Sequence, residues 1–245
     1  MSEGRQYVVV GGSKGIGLAI VRQLVEKGHH VRVLSRTWNA CDDLSHVEHF
    51  PCDVRETLLQ DEWLPLELHG LVFCPGSVQL RSFKTLKMET FREDLELNLL
   101  AAIRILQWAY PALKAGGRNE VEGATSSPAS VVVFSSIAAT LGLFGHASVA
   151  ASKAALEGLV RTLACEWAPN VRVNCIAPAL TQTSLTERFF VDAEKARVLA
   201  EKYPLGRTGL PQDIANLATF LLNPTSSWMT GQVLSVDGGM STLLK

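Results

Sequence analysis

The sequence is poor in charge and has almost no imbalance of sign. Only 19% of its 245 residues are charged, with 23 Lys and Arg against 24 Asp and Glu, a formal charge of −1. So small a surplus supplies no field to attract nucleic acid or an anionic membrane, and both partners are set aside. Cysteine is sparse as well. Cys41, Cys52, Cys74, Cys165 and Cys175 form an odd set without a C-x-x-C pair or a histidine cluster beside it. The pattern speaks against a disulfide framework and against a metal site, and fits buried, reduced thiols in a cytoplasmic protein. The first residues lack the basic region and cleavage site of a secretory signal, so export is not expected. An uncharged stretch over residues 123–152 is interrupted by Ser135, Ser136, Gly142, Gly145 and His146. It reads as a strand, a loop and a helix start, not as a membrane span.

What is present is apolar material, 47% of the chain, enough for one large core. Chains of this length with an α/β pattern commonly form one domain, expected here over residues 1–245. Tyr7-Val8-Val9-Val10 is a short apolar run ended by glycines, after which Ile16, Ala19, Ile20 and Leu24 recur at helical spacing up to Gly28. Strand, glycine-rich turn and helix follow one another. Further strands are expected at residues 31–34, 70–74, 131–134, 171–176 and 232–236, with long helical patterns around 90–114 and 148–168 and a helix opening at Pro211. Strands alternating with helices predict a doubly wound parallel sheet of Rossmann type, with helices on both faces. The Gly-, Ser- and Glu-rich stretch 116–130 is expected to be a surface loop.

The first turn, Gly11-Gly12-Ser13-Lys14-Gly15-Ile16-Gly17, sits where a strand meets a helix N-terminus. Glycine lets backbone approach a pyrophosphate there, and the helix start offers unpaired N–H donors. A tight packing turn would use the same glycines, but the first strand–helix junction favours a nucleotide.

Read in order, G-x-x-x-G-x-G at Gly11, Gly15 and Gly17, Asp53, Asn98, Ser136, Lys153, Asn174, Pro178 with Thr183, Thr230-Gly231-Gln232 and Asp237-Gly238-Gly239 run along almost the whole chain. In this order they resemble the short-chain dehydrogenase/reductase family. The resemblance implies hydride transfer between a nicotinamide dinucleotide and a small carbonyl or alcohol, in a homodimer or homotetramer. The long helices would form one interface of that assembly and the C-terminal strand another, with Trp228 and the tail Leu243-Leu244-Lys245 as apolar surface.

The resemblance places Gly11, Ser13, Lys14, Gly15, Ile16 and Gly17 on the cofactor phosphates, and Asp53 with Val54 along the adenine. After the second strand comes Ser35-Arg36, where an NAD-selective turn would place an acidic residue. Arg36 and Lys14 instead suit the 2′-phosphate of NADP(H), although two solvated surface cations are the plainer reading. Of the family's Asn-Asn-Ala-Gly only Gly76 survives, in Cys74-Pro75-Gly76. Pro178, the Leu180 backbone and the Thr183 hydroxyl would hold the carboxamide, with Ala179 in place of a usual glycine. Residues 184–203, including Leu185, Phe189 and Phe190, would form a substrate lid or an ordinary amphipathic surface helix.

In the family a tyrosine moves the proton, a lysine four residues later lowers its pKa and holds the ribose, a serine orients the carbonyl, and an asparagine anchors a water of the relay. Lys153, Ser136 and Asn98 match three of these positions. The fourth is Val149, which moves no proton. His146 extends the same face if the helix begins early enough, and imidazole suits proton transfer at neutral pH. Ser148 points off that face. Two readings stand: an NADP(H)-dependent oxidoreductase in which His146 or an ordered water near Asn98 supplies the proton, or a non-catalytic NADP(H)-binding subunit or redox sensor.

Overall fold

The computed structural model describes residues 4–38, 45–56, 58–117 and 127–243. Seven strands form one parallel sheet in the order β3-β2-β1-β4-β5-β6-β7. They are β1 (Gln6–Val10), β2 (His30–Ser35), β3 (Val47–Pro51), β4 (Gly70–Phe73), β5 (Ala129–Phe134), β6 (Val171–Pro178) and β7 (Val233–Val236). The helices are α1 (Gly15–Glu26), α2 (Met88–Leu95), α3 (Ala101–Gly116), α4 (Ala147–Trp167), α5 (Ala193–Glu201) and α6 (Pro211–Leu222). This is the single Rossmann-type α/β domain expected from the alternation of patterns.

Both faces of the sheet are buried, which is why its strands are apolar throughout. In β1, Val8 and Val10 face a core shared with Leu106 of α3 and Leu156 of α4, whereas Tyr7 and Val9 face a second core with Ile20 of α1 and Ile214 of α6. Strand order reverses direction between β1 and β4, which opens a crevice at their carboxyl ends.

Several expectations are revised. β3 has a mixed polar pattern, Val47-Glu48-His49-Phe50-Pro51, because it lies at the sheet edge, and no apolar run marks it. The helical pattern at 90–114 is two helices joined by a π turn, Glu96–Leu100, with Asn98 inside it. Cys165 is exposed on α4 rather than buried, and Cys74 is half-buried; Cys52 and Cys175 are buried as expected. Cys41, residues 118–126 of the expected loop, and Leu244 and Lys245 lie outside the described residues. Among the described residues no helix is long and apolar enough to cross a membrane, and no group of three or more His, Cys, Asp or Glu is placed to hold a metal.

Candidate active site

The glycine turn is built for close approach. Gly11 has φ +76° and Gly15 φ +55°, conformations that side chains beyond glycine rarely adopt. A Cβ on Gly17 would lie 2.3 Å from the Gly11 carbonyl oxygen, so α1 rests directly on the turn. No side chain caps α1 at Lys14, which leaves first-turn N–H groups for an anion. Lys14 is exposed, and Ser13 and Ile16 are half-buried beside it.

At the end of β2 the hydroxyl of Ser35 is committed: it donates to the Thr37 carbonyl over 2.9 Å and lies 3.1 Å from His49 Nε2. Trp38 stacks on His49 with ring centroids 5.8 Å apart. Arg36 is exposed. The Asp53 carboxylate accepts from Arg55 Nη2 at 2.8 Å and Nε at 3.1 Å, and this pairing holds its pKa down to about 2. The carbonyl of Val54 accepts from Arg104 over 3.0 Å.

Below the crevice is a cavity of about 360 Å³ whose wall includes Ile16, Gly76, Ser136, His146, Val149 and Lys153. Of the catalytic positions named from sequence, Ser136, His146 and Lys153 thus share one wall with Val149, whereas Asn98 is not part of it. Ser136 is extended at the end of β5, and its Oγ accepts from the Ala138 N–H over 3.2 Å, so it caps the following turn while facing the cavity. His146 takes the cap position of α4, where its carbonyl accepts the Ala150 N–H over 2.7 Å. Its Nδ1 lies 2.9 Å from the Phe144 carbonyl. A carbonyl only accepts, so Nδ1 carries the hydrogen and, in the neutral ring, Nε2 is the acceptor.

Lys153 is no surface lysine; it is 5% exposed, and its ammonium donates to the Phe134 carbonyl over 2.7 Å. Burial lowers its pKa to about 8. The two neighbouring thiols stay protonated, since burial pushes Cys175 up to about 12 and raises Cys74 as well.

The Asn98 side chain makes three hydrogen bonds. Its Nδ2 donates to Ser77 Oγ at 3.1 Å and Ser152 Oγ at 3.0 Å, and its Oδ1 accepts the Ser77 N–H at 3.2 Å. These bonds pin the Gly76-Ser77 turn, in which Pro75 has no N–H to donate, to the distorted helix. Beneath it lies a carboxylate that the sequence reading passed over. Asp94 is fully buried and accepts from the hydroxyls of Ser77 and Ser148, each at 2.5 Å. Its spacing of four from Asn98 on one helical face was the available signal.

On the far side, the Ala179 N–H donates to the Val236 carbonyl over 3.2 Å, and no described residue other than glycine has positive φ, so alanine serves where glycine was expected. Thr183 abuts the glycine turn: a Cβ on Gly15 would meet its methyl at 3.2 Å. Its Oγ1 lies 3.2 Å from Thr186 Oγ1. Pro178, Leu180, Leu185 and Phe189 also line the cavity, whereas Phe190 does not.

A family model described as Enoyl-(Acyl carrier protein) reductase matches residues 10–241. The chain belongs to the short-chain dehydrogenase/reductase family. A tropinone reductase homolog of Arabidopsis thaliana is 35% identical over 254 residues, spanning 97% of this chain and 92% of the relative. Among solved structures, the ligand-free aldohexose dehydrogenase of Thermoplasma acidophilum superposes with a TM-score of 0.84 at 25% identity, over 99% of this chain and 96% of that one. The Pseudomonas aeruginosa RhlG/NADP complex superposes with a TM-score of 0.85 at 27% identity, over 98% and 97%. This short-chain dehydrogenase/reductase is thus similar along its whole length to oxidoreductases.

Proposed function

We propose that this family member is an NADP(H)-dependent oxidoreductase acting on a small, mainly apolar carbonyl or alcohol. The observation that carries the reading is Lys153, a buried ammonium in the same cavity wall as Ser136 and the glycine-turn residue Ile16. A nicotinamide dinucleotide, when bound, supplies or accepts the hydride. The turn from Gly11 to Gly17, with the uncapped start of α1, suits its diphosphate. Lys14 and Arg36 are exposed, and neither is in an ion pair among the described residues, which suits the 2′-phosphate. Asp53 and Val54 would hold the adenine, Gly76 would belong to the cofactor site, and Pro178, Leu180 and Thr183 would hold the carboxamide. Ser35 supports this turn through its own bonds.

Lys153 holds the ribose and Ser136 orients the reacting oxygen. His146, or a water near Asn98, delivers the proton that Val149 cannot. Residues 184–203 act as the lid. The protein is cytoplasmic and assembles as a homodimer or homotetramer, with Trp228, 99% exposed, and Leu243, 60% exposed, as available apolar surface. A clean monomer by light scattering at micromolar concentration refutes the assembly.

The decisive experiment compares NADPH and NADH binding, then NADPH oxidation with a carbonyl panel, for the wild type, Arg36→Asp, His146→Ala and Lys153→Ala. Arg36→Asp is expected to weaken NADPH alone, and His146→Ala and Lys153→Ala to slow turnover. An unchanged coenzyme preference removes the NADP assignment, and full turnover by His146→Ala removes the histidine. Val149 favours a second reading, a non-catalytic NADP(H)-binding subunit or redox sensor; binding without any turnover establishes it.

A further inference from the structure

The cavity wall carries two lysines, Lys153 and Lys202, and none of its lining residues is Asp or Glu. Lys202 ends α5, and its ammonium is in no ion pair among the described residues. The acids of its own element are already engaged. Asp192 caps α5 and lies 3.5 Å from Lys195, Glu194 pairs with Arg197 at 2.6 Å, and Glu201 also meets Arg197. Asp94 sits behind Ser77 with both oxygens taken by hydroxyls, and it is fully buried. Glu187 is exposed and outside the wall. The rest of the cavity is largely aliphatic or aromatic, through Leu80, Leu143, Phe189 and Met240.

We infer that the ligand of this cavity is an apolar carbonyl compound that also carries a carboxylate, and that Lys202 selects for that anionic group. A carboxylate entering this wall exchanges water for a cation, whereas an ammonium of equal size loses water and meets like charge. The carbonyl part of this inference rests on the reductase reading. The preference for an anion belongs to the cavity alone.

Hexanoate, hexylammonium and 1-hexanol, matched in length and different in charge, test this on the whole chain without coenzyme. Binding is followed through the methyl resonance of Met240, at constant ionic strength. Hexanoate is expected to bind at least tenfold more tightly than hexylammonium, Lys202→Gln to cut that ratio below threefold, and Lys202→Glu to reverse it. Lys202 is exposed, so both variants are expected to fold, as circular dichroism will check. Equal binding of hexanoate and hexylammonium, an undiminished ratio in Lys202→Gln, or no Met240 shift with any probe overturns the inference. NADPH binding, measured in parallel by tryptophan fluorescence, separates the two readings. Its loss with the hexanoate preference intact removes only the reductase; its retention with no preference removes only the anionic substrate.

Discussion

Ser148 donates its hydroxyl to Asp94 across 2.5 Å, one residue before Val149. The bond holds Ser148 buried and outside the cavity wall, where its hydroxyl does not reach a ligand of that cavity. Asp94 also receives Ser77, and Ser77 receives Asn98, so the turn at Gly76, the π turn and the start of α4 are tied through one carboxylate.

Breaking that tie is expected to be expensive. Asp94→Ala leaves buried hydroxyls without an acceptor and should lower stability by about 3–5 kcal/mol. Asp94→Asn keeps an acceptor and should cost less. Urea denaturation of the two variants gives the ordering directly, and an Asp94→Ala variant as stable as the wild type would show that the carboxylate holds nothing together.

Val149→Tyr adds a phenol to the wall that also carries Ser136 and Lys153, beside a cavity of about 360 Å³. With a general acid restored, turnover should rise by about 10²–10⁴-fold in NADPH oxidation assays. No gain with a substrate that binds would mean that proton transfer does not limit the reaction.

Stability should fall on mild acidification. His29 and His69 accept the N–H groups of Arg5 at 3.4 Å and Gln6 at 3.1 Å through Nδ1. Burial, followed by the charge of Arg5, lowers both pKa values below the ordinary 6.5. Below that pH the unfolded chain binds more protons than the folded one, so this contribution is complete above 6.5 and is lost as pH falls toward the folded values. The urea midpoint is expected to drop between pH 7.5 and 5.5, and His69→Asn to flatten the drop. An identical slope in the variant would assign the pH dependence elsewhere.

Two glycine replacements should act in opposite directions. Gly17→Ala drives a Cβ to 2.3 Å from the Gly11 carbonyl, and is expected to cost about 1–3 kcal/mol and to abolish NADPH binding. Gly158→Ala meets nothing within 4 Å on α4 and should stabilise by about 0.5–1 kcal/mol. Thermal denaturation and a coenzyme titration check both.

Much of the frame is legible in the sequence because its signals are local. Tyr7–Val10 is apolar at every position since both sheet faces are covered, and the helical spacing of Ile16, Ala19, Ile20 and Leu24 follows from one buried stripe. β3 shows no such run because it is an edge strand with Glu48 exposed and His49 half-buried, so only the resemblance places a third strand before Asp53. The candidate site was legible as a set of positions, Ser136, Val149 and Lys153, but not as chemistry. The small residues around Lys153, Ala150, Ala151, Ala154 and Ala155, favour a packed lysine over a surface one, but its bond to the Phe134 carbonyl and its lowered pKa appear only once β5 is placed beside it.

By itself the sequence determined the layered α/β domain, the glycine turn and the valine four residues before Lys153, all of which depend on residue type and short-range spacing. Only the tertiary structure decided that Ser35 bonds to His49 and that Asp94 gathers Ser77 and Ser148 from 17 and 54 residues away. Hydrogen bonds and desolvation depend on which atoms meet, and chain proximity says little about groups brought together by packing across a sheet.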